Sequence, residues 1–569
     1  MQKIISVILL VSIVLSLCFC VSAKTSDVIT LQSETITIKN YLDNSGSETD
    51  ESNQPSYKIF NESTVNRLKA LLLSAVENVE TNVNISSENI SVPITVIKSE
   101  NNNGCYDYSE NENKYIININ KEGAYDIVID ENDISNVFKE LYYGNEFFFN
   151  FKNFAYSYSL PYEISASIEN ETTTIPNLVL KYKMSKEEYD VAKSFCIKEM
   201  DRIIRKMDDS FSYVDKLLFI HDYFVQNFSY QINDTNTDDT NTDDTNTKDT
   251  NADMYSFFKY GYGVCQAYTL AYKGILNRLG IENTVAISDV GKHIWNVAKL
   301  EDGSYYHIDC TQDDPLFEAK HDLPADCTQD DPLCKEKYDL PGFVSHALFL
   351  LSDKKMLEQG GSHIDWYTIP YYQSTVTCNN TRFDDAEWRN TIGAFSFVGD
   401  KWYAITPTLP TDVYSFSKGT LENKTLENKY NSGYGPDYYS PRGVVQIGNL
   451  IYFSDVCKVV CYDVLNNQFD VVIETDKQLY GCFYAGQGQL GYYFEDYLQP
   501  SMPTSTFDLN VGDINRDGSI SAEDLTCMVS IILEKENRAY NRFFADLNFD
   551  EEVSIIDLVK LKRVLANQN

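Results

Sequence analysis

Beyond residue 23 the chain has no apolar run long enough to cross a bilayer as a helix, so no membrane span is expected once a leader is removed. Basic side chains are in deficit: 47 Lys and Arg against 84 Asp and Glu give a net charge of −37. A polyanion would be repelled by that field, which excludes nucleic acid as an expected partner. Cysteine is too sparse for a dense disulfide framework. Of 13 cysteines, Cys18 and Cys20 fall in the leader, and the odd number that remains leaves at least one thiol without a partner in the chain. Free thiols on an exported protein fit a reducing or anaerobic setting. Cys310, Cys327 and Cys334 lack the paired spacing of a zinc site.

Hydrophobic residues make up 43% of the 569 positions, enough for several buried cores. Residues 1–23 have the form of a signal peptide: Lys3 opens it, Ile4–Val21 is apolar, and Val21-Ser22-Ala23 is a small-residue cleavage site. A polar leader follows at 24–56. Periodic apolar positions then predict a small α+β lead-in over 57–189. Its helix over Glu62–Asn82 is capped near Ser63, strands cover Tyr115–Ile119, Ala124–Ile129, Phe147–Leu160 and Leu178–Met184, and a second helix covers Asp133–Tyr143. Two helices are expected at Ser185–Met207 and Ser212–Phe228. Between 233 and 253 a five-residue polar repeat has nothing apolar to bury and reads as a solvated loop. A 17-residue unit beginning at Asp309 is repeated from Asp326, so 309–342 is a tandem duplication. From 375 to 500 short alternating runs predict a β-rich accessory region, with too few units for a closed propeller.

The chemistry concentrates in Gly261–Asp309. Cys265 follows Gly261-Tyr262-Gly263-Val264 and opens an apolar-periodic helix, Ala267–Leu279. A sulfur at a helix N-terminus sits where the dipole favours negative charge and where backbone N–H groups are free to hold an oxyanion. His293 precedes Trp295-Asn296-Val297 in a strand-like run, and Asp309 ends Tyr305-Tyr306-His307-Ile308. Neighbouring strands would set the imidazole beside the carboxylate, making a nucleophile, its base and the group that orients the base. Asp326 follows Leu-Pro-Ala, not a strand, so Asp309 is the expected partner.

These segments resemble the transglutaminase-like superfamily, which has a papain-like fold. The resemblance rests on GVCQAYT, on HIWNVAKLEDGSYYHIDCTQDDP, on Leu217–Tyr230 upstream and on His346–Met356 downstream. It covers about 190–357. It implies an α+β catalytic domain over that span in which Cys265 attacks a carboxamide or peptide carbonyl, His293 carries the proton, and Asp309 orients His293, with no cofactor at the site. Hydrolysis of a protein or peptide substrate is the leading expectation. A cross-linking transglutaminase and a noncatalytic binding or structural component stay open.

The C-terminus carries two calcium-loop patterns. The first runs DINRDGSISAED from Asp513, with oxygen donors at Asp513, Asn515, Asp517, Ser521 and Asp524, the Ser519 carbonyl at position seven and Gly518 at the sharp turn. The second, DLNFDEEVSIID, offers Asp546, Asn548, Asp550, Glu552, Ser554 and Asp557, with Glu551 in place of the glycine. Helices are expected at Leu525–Leu533 and Leu558–Leu565. Position twelve is Asp in both loops and no helix precedes the first. That combination resembles a type I dockerin, a small α module over 507–569. The resemblance implies two Ca2+ ions, docking to the cohesin domain of a bacterial scaffoldin, and a secreted, cellulosome-type location. Ala522–Glu523 and Ile555–Ile556 occupy the positions expected to face cohesin.

Overall fold

The computed structural model describes residues 28–30, 35–40, 60–86, 90–97, 107–109, 114–118, 126–130, 132–159, 163–165, 171–174, 177–230, 252–314, 344–371, 375–391, 393–433, 442–494, 504–533, 542–550 and 552–568. The expected signal peptide, nearly all of the polar repeat, the duplicated Asp326 and Glu551 lie outside these. The described chain is mixed α+β, built on small and almost entirely antiparallel sheets. Among the described residues no helix is long and apolar enough to cross a membrane.

The N-terminal unit sets helix α1 (Glu62–Asn78) and helix α2 (Asn132–Gly144) against a four-stranded sheet in the order Thr35–Asn40, Phe151–Ser159, Asn177–Tyr182, Asn82–Asn84. Helix α1 buries Val65, Leu68, Leu72, Ala75 and Val76, the helical spacing read from sequence. Its cap is Asn61, not Ser63: the Asn61 side chain accepts from the Thr64 N–H. It stops short of Asn82 because Val79 turns left-handed (φ 56°) and its N–H returns to the carbonyls of Ala75 and Val76. The strand expected over Phe147–Leu160 instead opens with a 3-10 turn at Phe148–Asn150. Buried Asn150 fixes that turn: its side chain accepts from Met184 N at 2.7 Å and donates to Met184 O at 3.3 Å.

The next unit packs helices α3 (Lys186–Ile204), α4 (Tyr213–Asn227), α5 (Met254–Tyr260) and α6 (Cys265–Arg278) around one apolar core. Ser185 and Ser212 start α3 and α4 with capping boxes. A five-stranded antiparallel sheet lies against α6, in the order Phe349–Leu351, Tyr305–Ile308, His293–Lys299, Asn283–Ser288, Tyr367–Thr368. The central pair is in register at Asn296 and Ile308, so Asp309 emerges beside the start of the His293 strand.

Three further antiparallel sheets follow, over 396–430, 442–474 and 479–508, with four, four and three strands. The first is continuous with the helical core: Phe395, Trp402, Phe416 and Leu421 are buried in the same cluster as α3–α6. Buried Asp215 of α4 accepts from Trp402 Nε1 at 2.7 Å and from Gly419 N at 2.8 Å. Packing therefore joins the start of the region expected as a separate accessory domain (375–500) to the one expected over 190–357. The C-terminal helices, Ala522–Ile532 and Ile555–Gln568, have their own core, which includes Ile514, Met528, Ile531 and Leu561. Phe544 and Leu509 pack with the second and third sheets, and Arg516 Nη1 lies 3.0 Å from Asp463 Oδ2.

Candidate active site

Cys265 is the first residue of α6, after Val264 in extended conformation. It packs half-buried against a cluster that includes Ile287, Ile294 and Tyr367. Two buried polar side chains tie this end of the helix to the histidine strand. Thr269 Oγ1 lies 2.8 Å from the Cys265 carbonyl and 3.0 Å from that of Ile294. Asn296 Nδ2 donates to Thr269 O at 3.0 Å. The asparagine after Trp295 thus holds the strand to the helix that carries the thiol.

His293 Nε2 lies 2.6 Å from Asp309 Oδ2, and both residues are buried. With Nε2 occupied, Nδ1 is the ring nitrogen left for Cys265, which lies close enough to help raise the same ring. Burial disfavours the imidazolium, but the charge and hydrogen bond of Asp309, with Cys265 adding to them, push His293 up to about 10. Burial likewise works against the Asp309 carboxylate, yet His293 and His363 hold it well below the usual carboxylate range.

His363 went unnoticed in the sequence. Its Nε2 lies 2.8 Å from the same Asp309 oxygen. The other oxygen, Oδ1, accepts from Thr311 N at 2.9 Å and Gln312 N at 3.3 Å. The only sequence signal was a histidine after Gly360-Gly361-Ser362, beyond the expected end of the catalytic span at 357. His293, Asp309 and His363 also present one metal-ligating atom each within 4.8 Å of one another. The direct contacts at 2.6 and 2.8 Å make the trio a hydrogen-bonded set.

The remaining described histidines are structural supports, as expected for His221 and His307. His307 accepts from Trp295 Nε1 at 2.9 Å and pairs with Asp353. His221 bridges Asp222 and Asp313, and His346 also binds Asp222. Asp313 accepts from Leu348 N, which fixes the turn just past Asp309. The rim is aromatic. Tyr143 from α2 and Tyr371 pack against the same apolar cluster as Cys265, and Tyr371 N donates to Glu140 Oε1 of that helix at 2.8 Å. Burial, with the nearby Cys265 charge contributing, raises the phenols of Tyr143 and Tyr230. The eight described cysteines, Cys265 and Cys310 among them, are free thiols.

The two C-terminal loops repeat one another. Asp524 accepts from Ile514 N, Asn515 N and Ser521 N, and Asp557 accepts from Leu547 N, Asn548 N and Ser554 N. Position four is left-handed in both, at Arg516 (φ 60°) and Phe549 (φ 59°). The ligand atoms of Asp546, Asp550 and Asp557 lie within 4.8 Å of one another, a spacing that fits one hard cation among carboxylates. Ala522, Glu523, Ile555 and Ile556 are exposed.

Residues 511–566 match the family described as the dockerin type I domain, so the chain carries a C-terminal type I dockerin domain. No curated protein matches the chain. A solved structure titled "Crystal structure of a TGase" is similar at 14% identity and a TM-score of 0.19, over 29% of this chain and 46% of that one. The chain thus spans under half the length of that structure.

Proposed function

We propose, with a type I dockerin domain at 511–566 as the premise, that this chain is a scaffold-borne cysteine acyl-transfer enzyme of the transglutaminase-like, papain-like fold, acting as a peptidase or amidase. One observation carries the reading: a half-buried thiol at the start of a packed helix lies close to an imidazole whose Nε2 sits 2.6 Å from a buried carboxylate.

His293, raised toward the imidazolium, already holds the proton on Nδ1 when the Cys265 sulfur attacks the carbonyl carbon of an amide as the thiolate. The Ala267 and Tyr268 N–H groups bond the Val264 carbonyl, so the N–H groups of Cys265 and Gln266 at the head of α6 are the ones offered to the developing oxyanion. His293 then gives its proton to the departing amine, and a thioester to Cys265 remains. Water, deprotonated by the same imidazole, attacks the thioester, releases a carboxylic acid and restores the thiol. Asp309 keeps the ring in the tautomer that leaves Nδ1 toward sulfur. An amine acceptor in place of water would give an isopeptide bond through the same steps. The aromatic rim of Tyr143 and Tyr371 suits an apolar side chain on the acyl part of the substrate.

Type I dockerin domains typically bind calcium and dock to a scaffoldin cohesin. Here Asp513, Asn515, Asp517, Asp524 and the Ser519 carbonyl would hold one ion. Asp546, Asn548, Asp550, Asp557 and Glu552 would hold the other. With an ion bound, the carboxylates of each loop would be neutralised and the loop held fixed. Docking of this kind supports an extracellular location on a cellulosome-type scaffold.

The test is proteomic. The full chain, wild type and Cys265→Ser, is incubated with mixed cell-wall and plant proteins, and products are searched for new termini and new isopeptide bonds. New termini made only by the wild type are expected. Isopeptide bonds instead would assign cross-linking, and neither product would refute an acyl-transfer role.

A further inference from the structure

We infer that His363 is a positioning residue of this site: as a neutral donor to Asp309 it locks the carboxylate that orients His293, extending the Cys–His–Asp set to a fourth member. The inference rests on the acyl-transfer reading above.

The hydrogen bonds fix the protons. An ionised carboxylate has about four acceptor positions, and all are used in Asp309: Oδ1 takes the N–H groups of Thr311 and Gln312, and Oδ2 takes the Nε2 atoms of His293 and His363. Both histidines must therefore donate from Nε2. The Nδ1 atom of His363 is buried with no hydrogen-bond partner. A proton there would leave a buried donor without an acceptor, so the ring fits this place as the neutral tautomer with hydrogen on Nε2. A neutral donor steadies the carboxylate but brings no second positive charge to compete with the His293 imidazolium. Without it, Oδ2 would be held by His293 alone and the carboxyl plane would pivot about its Oδ1 bonds.

The segment around His363 is built to hold the ring still. Its face meets Trp295 edge-on at 4.9 Å between centroids, and the His293 ring at 5.3 Å. Ser288 Oγ donates to Ile364 O at 2.5 Å and accepts from Gly291 N at 2.8 Å. Gly291 lies so close to the Ser362 backbone that an added Cβ would fall 2.1 Å from its carbonyl oxygen. Gln312 Nε2 donates to Ser362 Oγ. The turn before His293, the turn after Asp309 and the turn carrying His363 are thus clamped together.

The test uses the full chain and follows iodoacetamide modification of Cys265 by peptide mass spectrometry at pH 6 and pH 9.5. Wild type is compared with His363→Ala, with His363→Phe, which keeps a ring beside Trp295 but has no N–H, and with His363→Gln, which keeps a donor. Whichever donor-free variant retains the wild-type circular dichroism is expected to react roughly tenfold more slowly at pH 6, the size of effect that outer partners of functional imidazoles commonly have. At pH 9.5, above the ordinary value of a free cysteine thiol, its rate should stay within about twofold of wild type. His363→Gln should recover most of the pH 6 rate. Donor-free variants that match wild type at both pH values would overturn the assignment. So would loss of the native fold in both of them together with a His363→Gln rate as low as that of Cys265 in the unfolded chain. If wild-type Cys265 itself reacts at pH 6 no faster than free cysteine, the acyl-transfer reading fails, and the role of His363 falls with it.

Discussion

Replacing Asp309 with Asn changes a buried charge by one atom, and the structure sets how the loss should depend on pH. His293 is raised from 6.5 to about 10: its burial opposes the charge, but Asp309 and then Cys265 override it. A group with a raised folded-state value contributes its full stabilisation below 6.5 and loses it as pH rises through the folded value. Each pH unit in that window is worth about 1.4 kcal/mol, so the contribution of the pair should fall by about 3 kcal/mol between pH 6.5 and 9. Asp309 works in the opposite sense. Its value is depressed below 3.8 by His293 and His363 despite its burial, so its contribution is present above 3.8 and lost as pH falls toward the folded value. The pair is thus fully effective from about pH 4 to 6.5. At that plateau, breaking a buried ion pair costs about 3–5 kcal/mol. In Asp309→Asn the ring has no counter-charge, and that slope above pH 6.5 should vanish.

The chain has several separate cores, so a single melting temperature would mix them. Hydrogen exchange in peptides spanning 283–308 reads the relevant sheet directly. His221, disfavoured as a cation by burial but raised to about 9 by Asp222 and Asp313, acts alike in both proteins and cancels in their difference. A gap in opening free energy that shrinks by about 3 kcal/mol from pH 6.5 to 9 is expected. A gap equal at the two pH values would refute the imidazolium–carboxylate pair.

Three further outcomes can be checked. Asp215→Ala removes the acceptor for Trp402 Nε1, on a strand of the first β-sheet, and for Gly419 N, in the turn between two of its strands. Leaving two donors without partners should cost about 2–6 kcal/mol and open 396–430 to proteolysis, whereas an unchanged cleavage rate would show that this sheet holds without α4. Native mass spectrometry of the full chain should show two calcium ions in wild type and one in Asp524→Ala. EDTA should abolish cohesin binding in a titration, and binding that survives EDTA would count against the dockerin mode of attachment.

Local pattern carried far in this chain. Val65, Leu68 and Leu72 announced α1 by their spacing, the Ser212–Asp215 capping box started α4, and Cys265 stood at the head of an apolar-periodic run that is a helix. The C-terminal loops were legible because their ligand positions are fixed by sequence spacing alone. Where Phe147–Leu160 was expected as one strand, the 3-10 turn depends on Asn150 meeting Met184, a contact no local pattern records. The strand context of Asp309 named its partner, since adjacent strands in an antiparallel sheet align their ends.

The sequence by itself determined which residues stand as candidates for the chemistry and the order in which they occur, because periodicity, caps and loop spacing are properties of neighbours along the chain. Only the tertiary structure brought His363 onto Asp309, clamped Gly291 against Ser362, set Tyr143 of the lead-in against the same apolar cluster as Cys265 and merged the first β-sheet with the helical core. Those pairings join segments tens to hundreds of residues apart. Shared burial and the need to satisfy buried donors and acceptors select them, and neither leaves a periodic trace in the sequence.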